Sequence, residues 1–500
     1  MPAIPVPDQP LGRRSFLQRS AYFIGGAAAA VPLSALAANA AHAQTGPVTA
    51  GPLGLHLDES LQLTDNGGYG PLQPSNLGEE LYLPEGFTAK TLSRRGTTMS
   101  NGVPVPGAHD GMACFGMPDG TLRLVRNHET SGGSPFGANA YDTHLGGTTT
   151  VVFDPEGDGV ELSTHPSVTG LIRPCGGGPT PWGSWLACEE TTATTDKPHG
   201  YVFEVPAAAD APVDPVPLVA MGRFNHEAVA VDPRSGDVYE TEDTGNSGVY
   251  RFRPTEPGNL AAGGELQMLK VVGVDGYDTR TGQAIGSSLA VEWVPINDPD
   301  PAEAEWTGDN TYREGIARGG ATFARGEGAW TGVTTDEDGN VVDVTIWFAC
   351  TSGGDAGEGQ VWAYHPDVAD PEHGQLTLVF ESPGNHVLGH PDNITVHPVS
   401  GVVTVCEDGG GAPIQLAGQG LPGSTNGIPA ESTYNEALAR RQRVHGVTTD
   451  GRIFSFAHQF GSEFAGACWS PDGKWFFVNI QGNATTYAIT GPWEKGPFGQ

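Results

Sequence analysis

Positive charge is scarce in this sequence. Lys and Arg number 25 against 58 Asp and Glu, a formal net charge of −33 over 500 residues. A chain this poor in cations has little to offer a phosphate backbone, which excludes nucleic acid as a partner. Cysteine is sparse too, six in all. Cys114, Cys188, Cys350, Cys406 and Cys468 lie in short apolar or small-residue runs, where a buried free thiol is expected rather than a disulfide. Amphipathic helical stretches are nearly missing; outside the N-terminal region only Glu431 to Arg441 has that character. No nucleophile elbow, P-loop or dinucleotide fingerprint occurs in the strand–turn–helix setting each needs. Beyond the N-terminal region, no segment approaches the ~20 apolar residues that span a bilayer.

Glycine and proline are plentiful, at 73 and 41, and the hydrophobic fraction of 38% permits a real core. Many turns and few helices predict an all-β protein. At the N-terminus, G-R-R-S-F-L-Q (12–18) precedes an uncharged, Ala-rich stretch from Ser20 to His42, which ends A-H-A-Q. Paired arginines and a small-x-small site after Ala43 read as a twin-arginine export signal. The expected layout is a cleaved signal peptide at 1–43, an N-terminal extension at 44–84 and a catalytic β-domain at 85–500. The mature protein is expected in the periplasm or the medium, as a monomer. The twin-arginine translocase is its export partner, and no membrane association follows processing.

One unit recurs six times: an acidic or polar start, an apolar strand, a turn carrying Gly, a second apolar strand, then polar residues. Copies begin at His109, Cys175, Asn225, Arg325, His390 and Glu463. Third strands follow several of them, such as G-V-Y-R-F (248–252) and Q-V-W-A-Y (360–364). Six such meanders predict a six-bladed β-propeller, because no blade buries both faces until a ring of neighbours covers them. Residues 253–318 and 411–445 are inserted loops, and a two-domain β-sandwich is the alternative.

Aligned on the first strand, the leading position holds Asp110, Cys175, Glu227, Glu327 and Asp392, and falls near Glu463–Phe464 in the sixth copy. The outgoing end of the second strand holds Arg126-Asn127, Glu189-Glu190, Glu242-Asp243, Thr351-Ser352, Glu407-Asp408 and Asn479-Ile480. In a propeller these positions converge on one mouth of the axis. So many facing carboxylates require cations to neutralise them. Asp154, Asp232 and Asp472 sit at turns and are read as caps of their own backbone. Oxygen-rich sites suit Ca²⁺, and a thiolate among carboxylates suits an added transition metal such as iron. Glu129, in R-N-H-E, is a further candidate ligand. His109, His128, His226 and His390 neighbour the ring and are read as orienting residues. Arg325, two residues before Glu327, is a candidate clamp for an anionic group such as phosphoryl.

R-N-H-E, P-C-G-G-G-P-T-P-W-G-S-W-L-A-C-E-E-T, F-N-H-E-A-V-A-V-D-P, R-G-E-G, T-S-G-G-D-A-G-E-G-Q-V-W-A-Y and H-P-D-N-I together resemble the PhoX-type alkaline phosphatases. The resemblance runs from about Glu85 to about Thr490. It implies an exported hydrolase of phosphate monoesters, active at alkaline pH, with two oxo-bridged Fe³⁺ ions and several Ca²⁺ at the propeller axis. It places the thiolate iron ligand on Cys175 and the carboxylate iron ligands on Glu190 (or Glu189), Glu227 and Glu327, with Glu129 also a candidate. The phosphate-contacting arginine falls on Arg325. Asp110, Glu242, Asp243, Asp392, Glu407 and Asp408 are the candidate calcium ligands. Small-molecule phosphate esters are the implied substrates. The rival expectations are a metal-dependent phosphodiesterase or lactonase on the same scaffold, and a calcium-stabilised binding propeller with no activity.

Overall fold

A computed structural model describes residues 61–408 and 441–499. The signal peptide and most of the 411–445 insertion lie outside these residues. So does the helical expectation at 431–441 except Arg441, which opens a strand.

The described chain is nearly all β. Its single α-helix among the described residues, Asn310–Ala317, lies in the 253–318 insertion. Five hydrogen-bonded sheets form. The largest has nine strands and is two neighbouring meanders joined at their outer edges, where Ser288–Ile296 pairs antiparallel with His373–Glu381. Counting those two separately leaves six meanders. Their first strands are His109–Gly116, Pro174–Pro179, His226–Val231, Gly326–Thr335, Pro391–Val396 and Phe464–Trp469.

These six strands close on themselves. Each packs against the next in chain order, and the last packs against the first. The core is divided accordingly into six large clusters, each wedged between two neighbouring meanders. Leu186, Phe224 and Val229, for example, meet between the second and third. Burial between sheets, rather than within one, is why no meander is stable alone. The N-terminal part fastens the ring. Gly78–Leu83 joins the sheet of the fifth meander, and Thr88–Leu92 adds the outer strand to the sixth. On the axis, Trp330 is partly buried and packs against clusters from opposite sides of the ring.

Candidate metal centre

Each of the six first strands carries a register irregularity at the same place. The shifts fall at His109/Met112, Pro174/Gly177, His226/Val229, Gly326/Ala329, Pro391/Ile394 and Ala465/Cys468. A β-bulge of this kind re-aims a side chain out of the pleat. The first bulged residue is Asp110, Cys175, Glu227, Glu327 and Asp392 in five strands, and Gly466 in the sixth. The sixth leading position is therefore Gly466, and the expected alignment near Glu463–Phe464 is off by two to three residues. Except at Asn393, the following residue is Gly or Ala (Gly111, Gly176, Ala228, Gly328, Ala467), because the neighbouring strand crosses there. A Cβ on Gly111 would lie 2.7 Å from the Cys175 carbonyl oxygen, and one on Gly328 2.5 Å from that of Asp392.

Side chains tie the ring together around its circumference. Asn127 donates to the Cys175 carbonyl (2.9 Å), Thr241 to that of Glu327 (2.5 Å) and Asn479 to that of Asp110 (2.6 Å). Gly466 N–H donates to Asn393 Oδ1 at 2.7 Å.

The ligand-type atoms converge. Asp110, Glu129 and Cys175 form one group, Cys175, Glu190 and Glu227 a second, and Glu227, Glu327 and Asp392 a third, with ligand atoms inside each within 4.8 Å of one another. Shared members make the three groups one continuous arc. Glu227 is wholly buried, and neither of its carboxylate oxygens has a hydrogen-bond partner. An orphaned buried carboxylate is among the costliest groups a fold can hold. Burial, and then Asp392, Glu190 and Asp110, hold its pKa far above the carboxylate range. Burial with neighbouring acids likewise raises Asp110 and Glu327, lifts Glu190 to about 8 and lifts Asp392 to about 7. Burial and the same acids push the Cys175 thiol up.

Two arginines overhang the arc. Arg325 grips Asp243 side-on (Nε–Oδ1 2.8 Å, Nη2–Oδ2 3.0 Å) and brings Nη2 to 2.7 Å from Glu327 Oε1, off the line a hydrogen bond needs. Arg173 donates from Nε to Glu129 Oε1 at 2.9 Å and from Nη2 to Glu190. Both have positive φ, +51° and +48°. That conformation costs a non-Gly residue on the order of 1–3 kcal/mol, while a half-exposed ion pair returns about 0–1 kcal/mol. Ala108 and His390, two residues before Asp110 and Asp392, are left-handed too, so the conformation belongs to the entry of the strand and the arginine side chains are what sets these two apart.

The residues matching the family model for "Alkaline phosphatase PhoX" are 67–152 and 155–483. The chain belongs to the PhoX alkaline phosphatase family. It is accordingly a phosphoric monoester hydrolase, with small-molecule phosphate esters as substrates. Among solved structures, the chain is similar to Pseudomonas fluorescens PhoX in complex with vanadate, a transition state analogue. The two share 16% identity over 85% of this chain and 98% of that one, at a TM-score of 0.59, a likeness of fold. A gluconolactonase from Xanthomonas campestris is more distant, at 11% identity and a TM-score of 0.37 over 85% of this chain and 98% of that one. No curated protein matches.

Within this PhoX family member the acid pairs divide cleanly. Glu190, Asp243 and Asp408 follow the last residue of their strands, and each donates its N–H to the residue leading into the first strand of its meander. Glu129 does the same to Ala108, so the outgoing position of the first meander is Glu129 and not the expected Arg126-Asn127. The other member of each pair faces away and is bonded to protein. Glu189 accepts from Ile172 N (2.9 Å), Gly200 N (3.0 Å) and His199 Nδ1 (2.6 Å). Glu242 accepts from Gly248 N and the Tyr250 hydroxyl. Glu407 accepts from Gly389 N at 2.7 Å and from Arg443 Nε at 2.7 Å.

Arg173 was missed by sequence reasoning, and Glu463, which opens the sixth copy, was not counted among the candidate ligands. Arg173 stands two residues before Cys175 as Arg325 stands two before Glu327, and that shared offset is the signal that finds it. Glu463 is raised to about 11, by burial first and then by Asp408. His109, His128 and His226 bond backbone and side chains away from the arc, as orienting residues do. Asp154, Asp232 and Asp472 accept from backbone N–H groups two residues on. All six cysteines are free.

Proposed function

We propose that this phosphatase is a six-bladed β-propeller whose axial arc holds a metal cluster of two oxo-bridged Fe³⁺ ions and several Ca²⁺. Closure of the six first strands supports the propeller reading. The carboxylate of Glu227 carries the metal reading, because both its oxygens are buried without a protein donor at the shared member of two ligand-type groups. The donor set fits the cations: oxygen-rich for calcium, with one thiolate for iron. Cys175, Glu129, Glu190, Glu227 and Glu327 hold iron, and Asp110, Asp243, Asp392 and Asp408 hold calcium. Glu189, Glu242 and Glu407 act one step out, holding the strands that aim the ligands.

When bound, such cations withdraw charge from a phosphoryl group and offset the charge that develops as the ester bond breaks. The chain's own residues do the rest. Arg325 donates to phosphoryl oxygens from above the arc, as a planar fork suited to them. The bulges and the cross-ring bonds of Asn127, Thr241 and Asn479 fix the ligand positions before substrate arrives. Trp330 stands on the axis beneath, and ester enters and phosphate leaves by the acidic mouth. The N-terminal signal directs twin-arginine export to the periplasm or medium, where the mature chain works as a monomer, free of the membrane.

Protein from a twin-arginine-competent host should hydrolyse p-nitrophenyl phosphate at alkaline pH, lose that activity to a calcium chelator, and contain iron and calcium. Activity that persists in metal-free protein would overturn the cluster.

A further inference from the structure

Resting on that reading of the site, we infer that Arg173 is a second anion-binding residue, so that the phosphoryl group is held between two guanidiniums, Arg173 and Arg325.

The two arginines occupy equivalent places in different meanders. Each leads into a first strand, two residues before a ligand-type residue, Cys175 in one case and Glu327 in the other. Their backbones do the same work. Arg173 N–H donates to Thr130 O and its carbonyl accepts from Glu190; Arg325 N–H donates to Thr244 O and its carbonyl accepts from Thr351. Both adopt the left-handed conformation that glycine would fill without strain. The side chains are the part that glycine could not supply.

Those side chains face one patch. Arg173 ends on Glu190 and Arg325 on Asp243, two carboxylates close enough to repel each other. The guanidiniums thus flank a shared carboxylate pair at the edge of the arc. Each is partly exposed, 43% for Arg173 and 35% for Arg325, although its partners are nearly buried. Each engages carboxylates through Nε and Nη2, and Nη1 makes no hydrogen bond among the described residues. Once cations neutralise Glu129, Glu190, Asp243 and Glu327, the anion left for these donors is the one that arrives from solvent. A phosphoryl dianion offers more acceptor positions than one guanidinium can fill.

The test uses full-length exported protein, with inorganic phosphate as the probe in calorimetry and elemental analysis on the same samples. Arg173→Gln should weaken phosphate binding by about tenfold or more, with iron and calcium unchanged. Arg173→Lys, which keeps the charge and loses the fork, should recover only part of the loss. Phosphate affinity within about twofold of the parent in a fully loaded Arg173→Gln protein would overturn the inference. So would loss of metal from that variant, since Arg173 would then be holding ligands rather than substrate. If the Gln variant does not fold, undiminished affinity in Arg173→Lys decides against it. Parent protein that binds phosphate through both arginines without any metal would sink the cluster and leave the arginine pair standing.

Discussion

Asp392 and Glu407 lie on one hairpin, nearly facing each other, and both are buried. Their chemistry is opposite. Burial and Asp408 lift Asp392 to about 7. Glu407 is equally desolvated, yet Arg443 and His445 pull it down to about 2. The division of partners, though not of titration, runs round the ring: burial lifts Glu242 to about 7 despite its two donors. An inner set of acids (Asp110, Glu227, Glu327, Asp392) faces other acids, and an outer set (Glu189, Glu242, Glu407) is bonded to protein. Burial therefore does not distinguish a metal ligand from a structural acid. Partnership does: each outer acid is held by two or more protein donors, whereas among the described residues Glu227 has none and Asp110 and Asp392 accept from only Gly111 and Asn393.

The sharpest way to break this comparison is to neutralise one acid from each set. Glu227→Gln should reduce phosphatase turnover by about three orders of magnitude or more and strip metal, since the arc is interrupted at its shared member. Measured in chelator, its thermal midpoint should change little, because burial and the neighbouring acids already hold Glu227 protonated there. Glu407→Gln should do the reverse. It leaves Arg443 buried without its charge partner, so it should cost about 3–5 kcal/mol in denaturant unfolding while the folded fraction keeps its metal. Next in size, Arg325→Gln should lower kcat/KM about 10²–10³-fold at unchanged metal content, in steady-state kinetics.

A smaller effect comes from pH. Asp392 and Glu190, at about 7 and about 8, are raised above their unfolded values. Their contribution to metal-free stability is whole below about pH 4 and drains away as pH rises through 7 to 8. Glu407, at about 2, contributes above the ordinary carboxylate range and is lost only as pH falls through 2. Thermal melts in chelator should thus decline from pH 5 to pH 8, and calcium should remove most of that decline. Smallest of all, Asp472→Asn, at an exposed turn, should change stability by about 1 kcal/mol or less and leave activity alone.

The sequence already carried the repeat, because a Gly-marked turn between two apolar strands recurs legibly, and with it the inner column from Asp110 to Asp392. It did not reveal which acid of each pair faces inward. Side chains alternate along a strand, so Glu189 and Glu190 must point oppositely, but a bulge of one residue in the facing strand hides the count. The sixth meander was misaligned for the same reason: Gly466 has no side chain to mark the position. Arg173 escaped notice because proline and cysteine, rather than an acid, follow it. The outer-edge pairing of Ser288–Ile296 with His373–Glu381 joins segments far apart in sequence, and no local pattern announces it.

The most direct test is elemental analysis of exported protein in three forms: parent, Glu227→Gln and Glu242→Gln. The account expects iron and calcium in the parent and in Glu242→Gln, and neither metal at stoichiometric level in Glu227→Gln. Equal metal in all three, or an active parent with none, would contradict it.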